Sequence, residues 1–308
     1  MVWRDVKEGI AIKGDERLNY LLFVIICFIG GTTWAVQKIG LTNSIPLWSA
    51  ACRFVIAGLI LLVIQLIRRA MLFDKQTIKM ALLYGSFYFA IPFGVVYYVS
   101  KYLPSGLVSV LGTTIALFTL IFNSFLKGRS TFFVQKIGSC LALTGIVVVF
   151  FNKMILTFEW RIFLCIIALL IAFGGTALIM VVVKKNIENV DRLSFNSLSL
   201  IIGGVILSLI SILFEKGNRF FVGESFGALL YLAVIGSVVG VSINTHLIHK
   251  WHIAKMSSSL YISPIVALFI GYIFLNEKLE FSVYIGSFLV IIGVYLINVD
   301  NKQKGLIK

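Results

Sequence analysis

One charge stands inside an otherwise apolar stretch: Arg53, seven residues into the run that Pro46 opens. On a helix rising 1.5 Å per residue, the guanidinium lies about 10 Å below the end of that segment. A cation at such a depth in hydrocarbon costs about 3 kcal/mol or less. Two accounts stay open. The arm can snorkel back to the headgroups, or the planar fork can face a cavity and receive a carboxylate.

The thirteen carboxylates behave differently, because none falls in the middle of an apolar run. A buried acid is the usual proton relay or cation counter-ion in a membrane, and intramembrane aspartyl proteolysis needs two of them. Those chemistries are therefore not expected. No Gly-x-Ser-Gly with a partner His occurs, and no phosphate loop. His246, His249 and His252 lack ligand spacing and sit at one end of a run, where interfacial polar residues are ordinary. Cys27, Cys52, Cys140 and Cys165 lie within apolar runs and read as small hydrophobes. No catalytic residue, metal or cofactor is expected.

The remaining polar groups suit binding. Tyr84, Tyr88, Tyr98 and Tyr102 share one face at α-helical spacing, and Tyr97 does not. Tyr88 and Tyr98 are the deeper pair, and with Trp34 they would form an aromatic wall. Ser259 and Ser263 precede Pro264, while Ser109, Thr113 and Thr114 hold nearly the same places in the fourth run. Asn244 adds an amide. The candidate binding set is Arg53, Trp34, Tyr88, Tyr98, Ser259, Ser263 and Asn244, with plain helix packing as the competing account. Pro92 and Pro264 sit mid-run and should kink their helices. Lys38 ends the first run as an anchor or a gate.

Ten apolar runs must position these groups, near 18–39, 46–68, 77–99, 104–126, 133–151, 160–183, 193–214, 225–248, 256–275 and 281–298. Apolar residues make up 59% of the 308, charged residues 13%, and mean hydropathy is +1.01. A soluble domain carries about 25% charge, so lipid is the expected solvent. The net charge of +14 is scattered over loops and does not form the single patch a nucleic acid would want. It follows the positive-inside rule with both termini cytoplasmic. Outside would then lie Lys38, Lys101, Lys153, Arg161, Lys216, Arg219 and Lys278, and the other loop and tail cations inside. Residues 1–17 read as a mixed-charge cytoplasmic tail rather than a signal peptide.

The runs repeat. Gly30-Gly31-Thr32 echoes in Gly174-Gly175-Thr176, and Gly138 and Gly145 echo in Gly286 and Gly293. Five runs per half would make the second half enter the membrane from the opposite side, the pattern of an inverted-repeat transporter. The expected division is 1–17 tail, 18–151 first repeat, 152–159 linker, 160–298 second repeat and 299–308 tail. The fold class is an all-α integral membrane protein of ten transmembrane helices in two inverted five-helix repeats.

Particular residues carry a family resemblance. The first run ends Gly30-Gly31-Thr32-Thr33-Trp34-Ala35-Val36-Gln37-Lys38, and the second opens Pro46-Leu47-Trp48 and reaches Arg53-Phe54. Ser263-Pro264-Ile265-Val266-Ala267 leads to Leu275-Asn276-Glu277-Lys278-Leu279, then to Gly286 and Gly293. In these, residues 18–298 resemble the EamA family of the drug/metabolite transporter superfamily. The first repeat departs from the pattern, with Ile115-Ala116 in place of the proline and Arg129 in place of the glutamate. The resemblance implies a central cavity walled by spans 1–4 and 6–9. It implies a secondary transporter of the cell membrane working by alternating access, an exporter; Arg53 and the aromatic residues make an amino acid or related metabolite the expected cargo. The alternatives are a lipid or isoprenoid carrier, or a non-transporting sensor or enzyme subunit. Expected partners are a small-molecule substrate and membrane lipid, with a homodimer left open and no nucleic acid.

Overall fold

The computed structural model describes residues 2–68, 73–127, 133–156, 160–184, 190–250, 259–277 and 280–299. Residues 256–258 of the expected ninth span, 157–159 of the linker, 300–308 of the tail, and Arg129, Lys278 and His252 lie outside them.

Among the described residues every regular element is helical. Helix α1 runs Val2–Gly40 and α2 runs Pro46–Arg68. Helix α3, Lys75–Tyr84, passes through a π-helical segment, Gly85–Ala90 (π1), into α4, Ile91–Val99. Helices α5, Ser105–Gly112, and α6, Thr114–Lys127, meet at Thr113. Next come α7, Phe133–Leu156, α8, Trp160–Lys184, and α9, Arg192–Phe214. Helix α10, Glu224–Tyr231, again passes through a π segment, Leu232–Val239 (π2), into α11, Gly240–Lys250. Helices α12, Ser259–Leu275, and α13, Phe281–Val299, complete the fold.

The apolar runs and the helices coincide, with two extensions: α1 begins at Val2, well before the first run, and α7 continues to Leu156, through the first five residues of the expected linker. The added residues include no proline and several long charged side chains, which helices accept readily. Seven segments are long and apolar enough to cross a membrane: Glu16–Gly40, Pro46–Arg68, Lys75–Val99, Ser105–Leu126, Trp160–Val183, Arg192–Phe214 and Glu224–Asn244. Three further apolar helices, Phe133–Val148, Ile262–Leu275 and Phe281–Leu296, are shorter. Large apolar side chains such as Phe28, Leu59, Phe269 and Phe288 point outward, as lipid contact requires.

Packing pairs the two halves. Helix α2 lies along α9, α7 along α13, and α1 against α12 as α8 lies against α6. Segment π1 packs on α9, and π2 on α2. Every one of these pairings has a mate when the two sets of helices are exchanged. Small residues permit the closest approaches, because lipid supplies no hydrophobic drive between helices. A Cβ on Gly145 would stand 2.6 Å from the Gly286 carbonyl oxygen, and one on Gly293 would stand 2.5 Å from that of Gly138. The four glycines of the repeat signature thus form one seam, backbone on backbone. Along the α2–α9 contact, Gly58 and Gly204 play the same part against Ile201 and Val55.

Irregular helix gathers around the centre. Pro92 has no N–H to give, and the chain changes to π pairing just upstream before restarting as α4. Segment π2 achieves the same widening without a proline. The break between α5 and α6 stands where the second half has Pro264, which lies inside a continuous α12.

Candidate functional site

Residues of both halves enclose a cavity of about 370 Å³. Its walls come from α1, α2, the π1–α4 helix, the α5–α6 junction, α8, the π2–α11 helix and α12. Much of the lining is apolar or aromatic: Ile26, Ile29, Trp34, Phe93 and Phe173 among others.

Arg53 lies on this wall and is 6% exposed. Its Nε donates to Ser237 Oγ at 3.1 Å, and its Nη1 donates to Tyr97 Oη at 3.3 Å. The Phe54 and Phe93 rings stand 5.4 and 5.7 Å from the guanidinium carbon, close enough for cation–π attraction. Ser237 Oγ in turn donates to the Leu232 carbonyl five residues back, the spacing of a π turn. That bond fixes the hydroxyl so that a lone pair meets the arginine. Gly236 leaves room beside Nη2, where a Cβ would approach to 3.4 Å. Among the described residues, no carboxylate lines the cavity.

The other expected residues divide. Trp34 lines the cavity and packs over Gly112. Tyr88 lines it too, stacked on Tyr84 with ring centroids 4.1 Å apart. Ser259, Ser263, Asn244, Pro92 and Pro264 are also on the wall. Ser263 Oγ donates to the Cys27 carbonyl at 3.3 Å and lies against Gly30, tying α12 to α1. Tyr98 is elsewhere. It is 52% exposed, its ring 5.6 Å from that of Tyr102, and it takes no part in the cavity lining. The aromatic wall therefore consists of Trp34, Tyr88, Phe93 and Phe173.

The physical reason for Tyr98 is π1. A π turn carries one residue more than an α turn, so the helix beyond it lags by about 100°. In an unbroken α-helix Tyr98 would stay on the face of Tyr88. With the lag, Tyr98 turns away and buried Tyr97 swings inward to Arg53.

Lys38 also lies away from the lining. Its Nζ pairs with Glu277 Oε1 at 2.8 Å and donates to the Leu103 carbonyl at 3.3 Å. Glu277 is buried and accepts from Ser105 N at 2.8 Å and Ser105 Oγ at 2.9 Å. It so caps the positive end of α5. Asn276, at φ 50°, supplies the left-handed turn that folds the carboxylate back. One cluster thus fastens the ends of α1, α5 and α12. At the same end of the molecule Glu215 accepts from Leu47 N and Trp48 N, at 3.1 and 3.3 Å, and fastens α9 to α2. Sequence reasoning missed Tyr97, Ser237 and the role of Glu277. For Glu277 the Leu-Asn-Glu signature was the available signal.

A model of the EamA-like transporter family matches residues 17–151 and again residues 161–299. The chain belongs to that family. Its relatives agree. An uncharacterized transporter of Buchnera aphidicola subsp. Schizaphis graminum is 29% identical over 256 residues, covering 81% of each chain. The uncharacterized inner membrane transporter YedA of Escherichia coli K12 is 28% identical over 272 residues, covering 87% of each. Protein PagO of Salmonella typhimurium is 27% identical over 252 residues, covering 80% of this chain and 82% of its own. A solved crystal structure shares the fold at TM-score 0.63 and 15% identity, over 89% of this chain and 98% of that one. Membership of the EamA-like family makes the protein a multi-pass membrane transporter rather than an enzyme.

Proposed function

We propose that this EamA-like protein is a secondary transporter that passes a small carboxylate-bearing metabolite, an amino acid or a relative of one, outward by alternating access. The observation that carries the reading is Arg53, a guanidinium held by two hydroxyls on the wall of a cavity shared by both halves. Its fork suits a carboxylate, and Lys38 is not at the site to share the task.

In this reading residues 18–151 and 160–298 are two inverted five-helix repeats with both termini in the cytoplasm. The double family match and the exchangeable helix pairings support it. So does an asymmetry between the glycine pairs. A Cβ on Gly30 or Gly31 would come within 2.5 Å of α12, whereas Gly174 has 3.9 Å to Phe118 and Gly175 has open space. One end is drawn tight, with Lys38–Glu277 as its fastening, and the mate contact of α8 and α6 is slack. Rocking of the halves would reverse the two.

The test is flux. Purified protein in liposomes should move members of a panel of amino acids and related carboxylates in a saturable manner, and Arg53→Ala should abolish it at equal protein level. Saturable flux confined to lipid-like or cationic compounds would replace this reading with another.

A further inference from the structure

The charge on the cavity wall limits the cargo more narrowly than the word carboxylate does. Among the described lining residues Arg53 is the one ionised group, with no acid, histidine or second base beside it. Its Nε and Nη1 are engaged by Ser237 and Tyr97, and Nη2 has no hydrogen-bond partner among the described residues. Aromatic and aliphatic side chains make up the surroundings.

We infer that the preferred cargo carries one net negative charge: a monocarboxylate with an apolar or aromatic body, lacking a free amino group. This rests on the transport reading above and narrows it: among carboxylate-bearing metabolites the amino acids themselves, being zwitterions, become the weaker cargo and their relatives without the amine the stronger. A carboxylate on the fork brings the site to electrical neutrality, which is the favourable state for ions withdrawn from water. An α-ammonium on the same molecule would restore a positive charge with no carboxylate to meet it. A phosphate monoester, with nearly two negative charges, would leave one unmatched. A plain cation meets only repulsion.

A second feature points to a ligand. Ser109 is 3% exposed and lines the cavity, and its Oγ has no hydrogen-bond partner among the described residues. By contrast, Thr33 and Thr113 on the same wall donate to the Gly30 and Val110 carbonyls. Buried hydroxyls are nearly always paired, and the Ser109 hydroxyl, shut off from solvent as it stands, needs a turn about χ1 to donate to an oxygen of the cargo. Both the ionised group and the orphan hydroxyl are thus donors, suited to an acceptor-rich anionic head rather than to an ammonium.

Three compounds built on one phenylethyl unit separate the cases: 3-phenylpropionate, phenylalanine and phenethylamine, which are anion, zwitterion and cation at neutral pH. Calorimetric titration of the purified full chain should give binding in that order. The anion should bind at least about tenfold more tightly than the zwitterion, and the amine should not bind measurably. Arg53→Gln should erase the preference, and Ser109→Ala should weaken the anion about two- to tenfold, both with unchanged size-exclusion profiles. Equal or tighter binding of phenylalanine, measurable binding of phenethylamine, or failure of 3-phenylpropionate to bind would overturn the inference. The transport reading fails separately. Saturable flux of amino acids without preference for the anion sinks only the charge rule, while Arg53-dependent binding without flux sinks only transport.

Discussion

Tyr97 Oη receives a hydrogen bond from Arg53 Nη1 at 3.3 Å, and Tyr97 is the neighbour of the tyrosine that α-helical spacing selects. The pair joins α4 to α2 inside the membrane and sets the height of the guanidinium. Removing the hydroxyl alone tests its part. Tyr97→Phe should keep the packing and protein level and raise KM for the transported carboxylate about three- to tenfold, the effect of losing one hydrogen bond of ordinary strength, since this one is long. An unchanged KM in liposome flux would make the contact incidental.

Ser237 holds the other side of the fork. Ser237→Ala deletes the oxygen that accepts from Nε and releases the Leu232 carbonyl in π2. The expected outcome is a rise in KM of similar size, with kcat little changed, because the arginine loses its aim rather than its charge. Equal loss of kcat with KM constant would assign Ser237 to the conformational cycle instead.

Arg53 itself distinguishes anchor from fork. A lysine keeps the charge and snorkels equally well, but a single ammonium cannot meet Ser237, Tyr97 and a carboxylate in one plane. Arg53→Lys should therefore transport poorly and Arg53→Ala should not transport, both at normal membrane levels. Wild-type flux in Arg53→Lys would reduce the residue to a point charge.

The Lys38 cluster should govern access from its own end. Lys38→Met removes the ion pair but leaves Glu277 its donors on Ser105, so α5 keeps its cap. With cysteine placed at Thr33 in a variant lacking the native thiols, an impermeant reagent applied from the Lys38 side should label the Met variant several times faster. Equal rates would show that the glycine contact at Gly30 and Gly31 suffices to hold that end shut.

The glycine seam of α7 and α13 has no slack. Gly145→Leu must displace the Gly286 backbone or Val290, and overpacking of this kind costs about 1–3 kcal/mol. Membrane levels should fall, and a thermal-shift measurement in detergent should show a lowered midpoint. A stable, active Gly145→Leu variant would mean that the seam can open.

Helix positions were legible from the sequence because apolar runs in lipid leave the backbone one economical choice. The glycine echoes were legible as repeats, though not as a seam, since spacing within a helix does not say which helix will meet it. Trp34, Tyr88, Ser259, Ser263, Asn244 and Arg53 could be gathered as polar or aromatic groups deep in runs, and the cavity wall takes them all. Tyr98 misled because spacing assumes an α register, and π1 adds a residue that the sequence marks only by nearby Pro92. Lys38 and Glu277, 239 positions apart, could each be read only as a residue at a run's end. Their meeting depends on Asn276 turning the chain back.

A guanidinium fixed to α2 cannot travel with the cargo. If a monoanion leaves it behind, each turnover moves one negative charge across the bilayer, and the protein becomes a current source. A potential of 100 mV is worth about 2.3 kcal/mol for a unit charge, roughly a fifty-fold concentration ratio. With the cell interior negative, that voltage expels anions, so such a carrier needs no co-transported ion to work outward. For a carrier of that kind, with no acid on the described cavity wall to serve as the usual proton relay, the membrane's own voltage would be the engine.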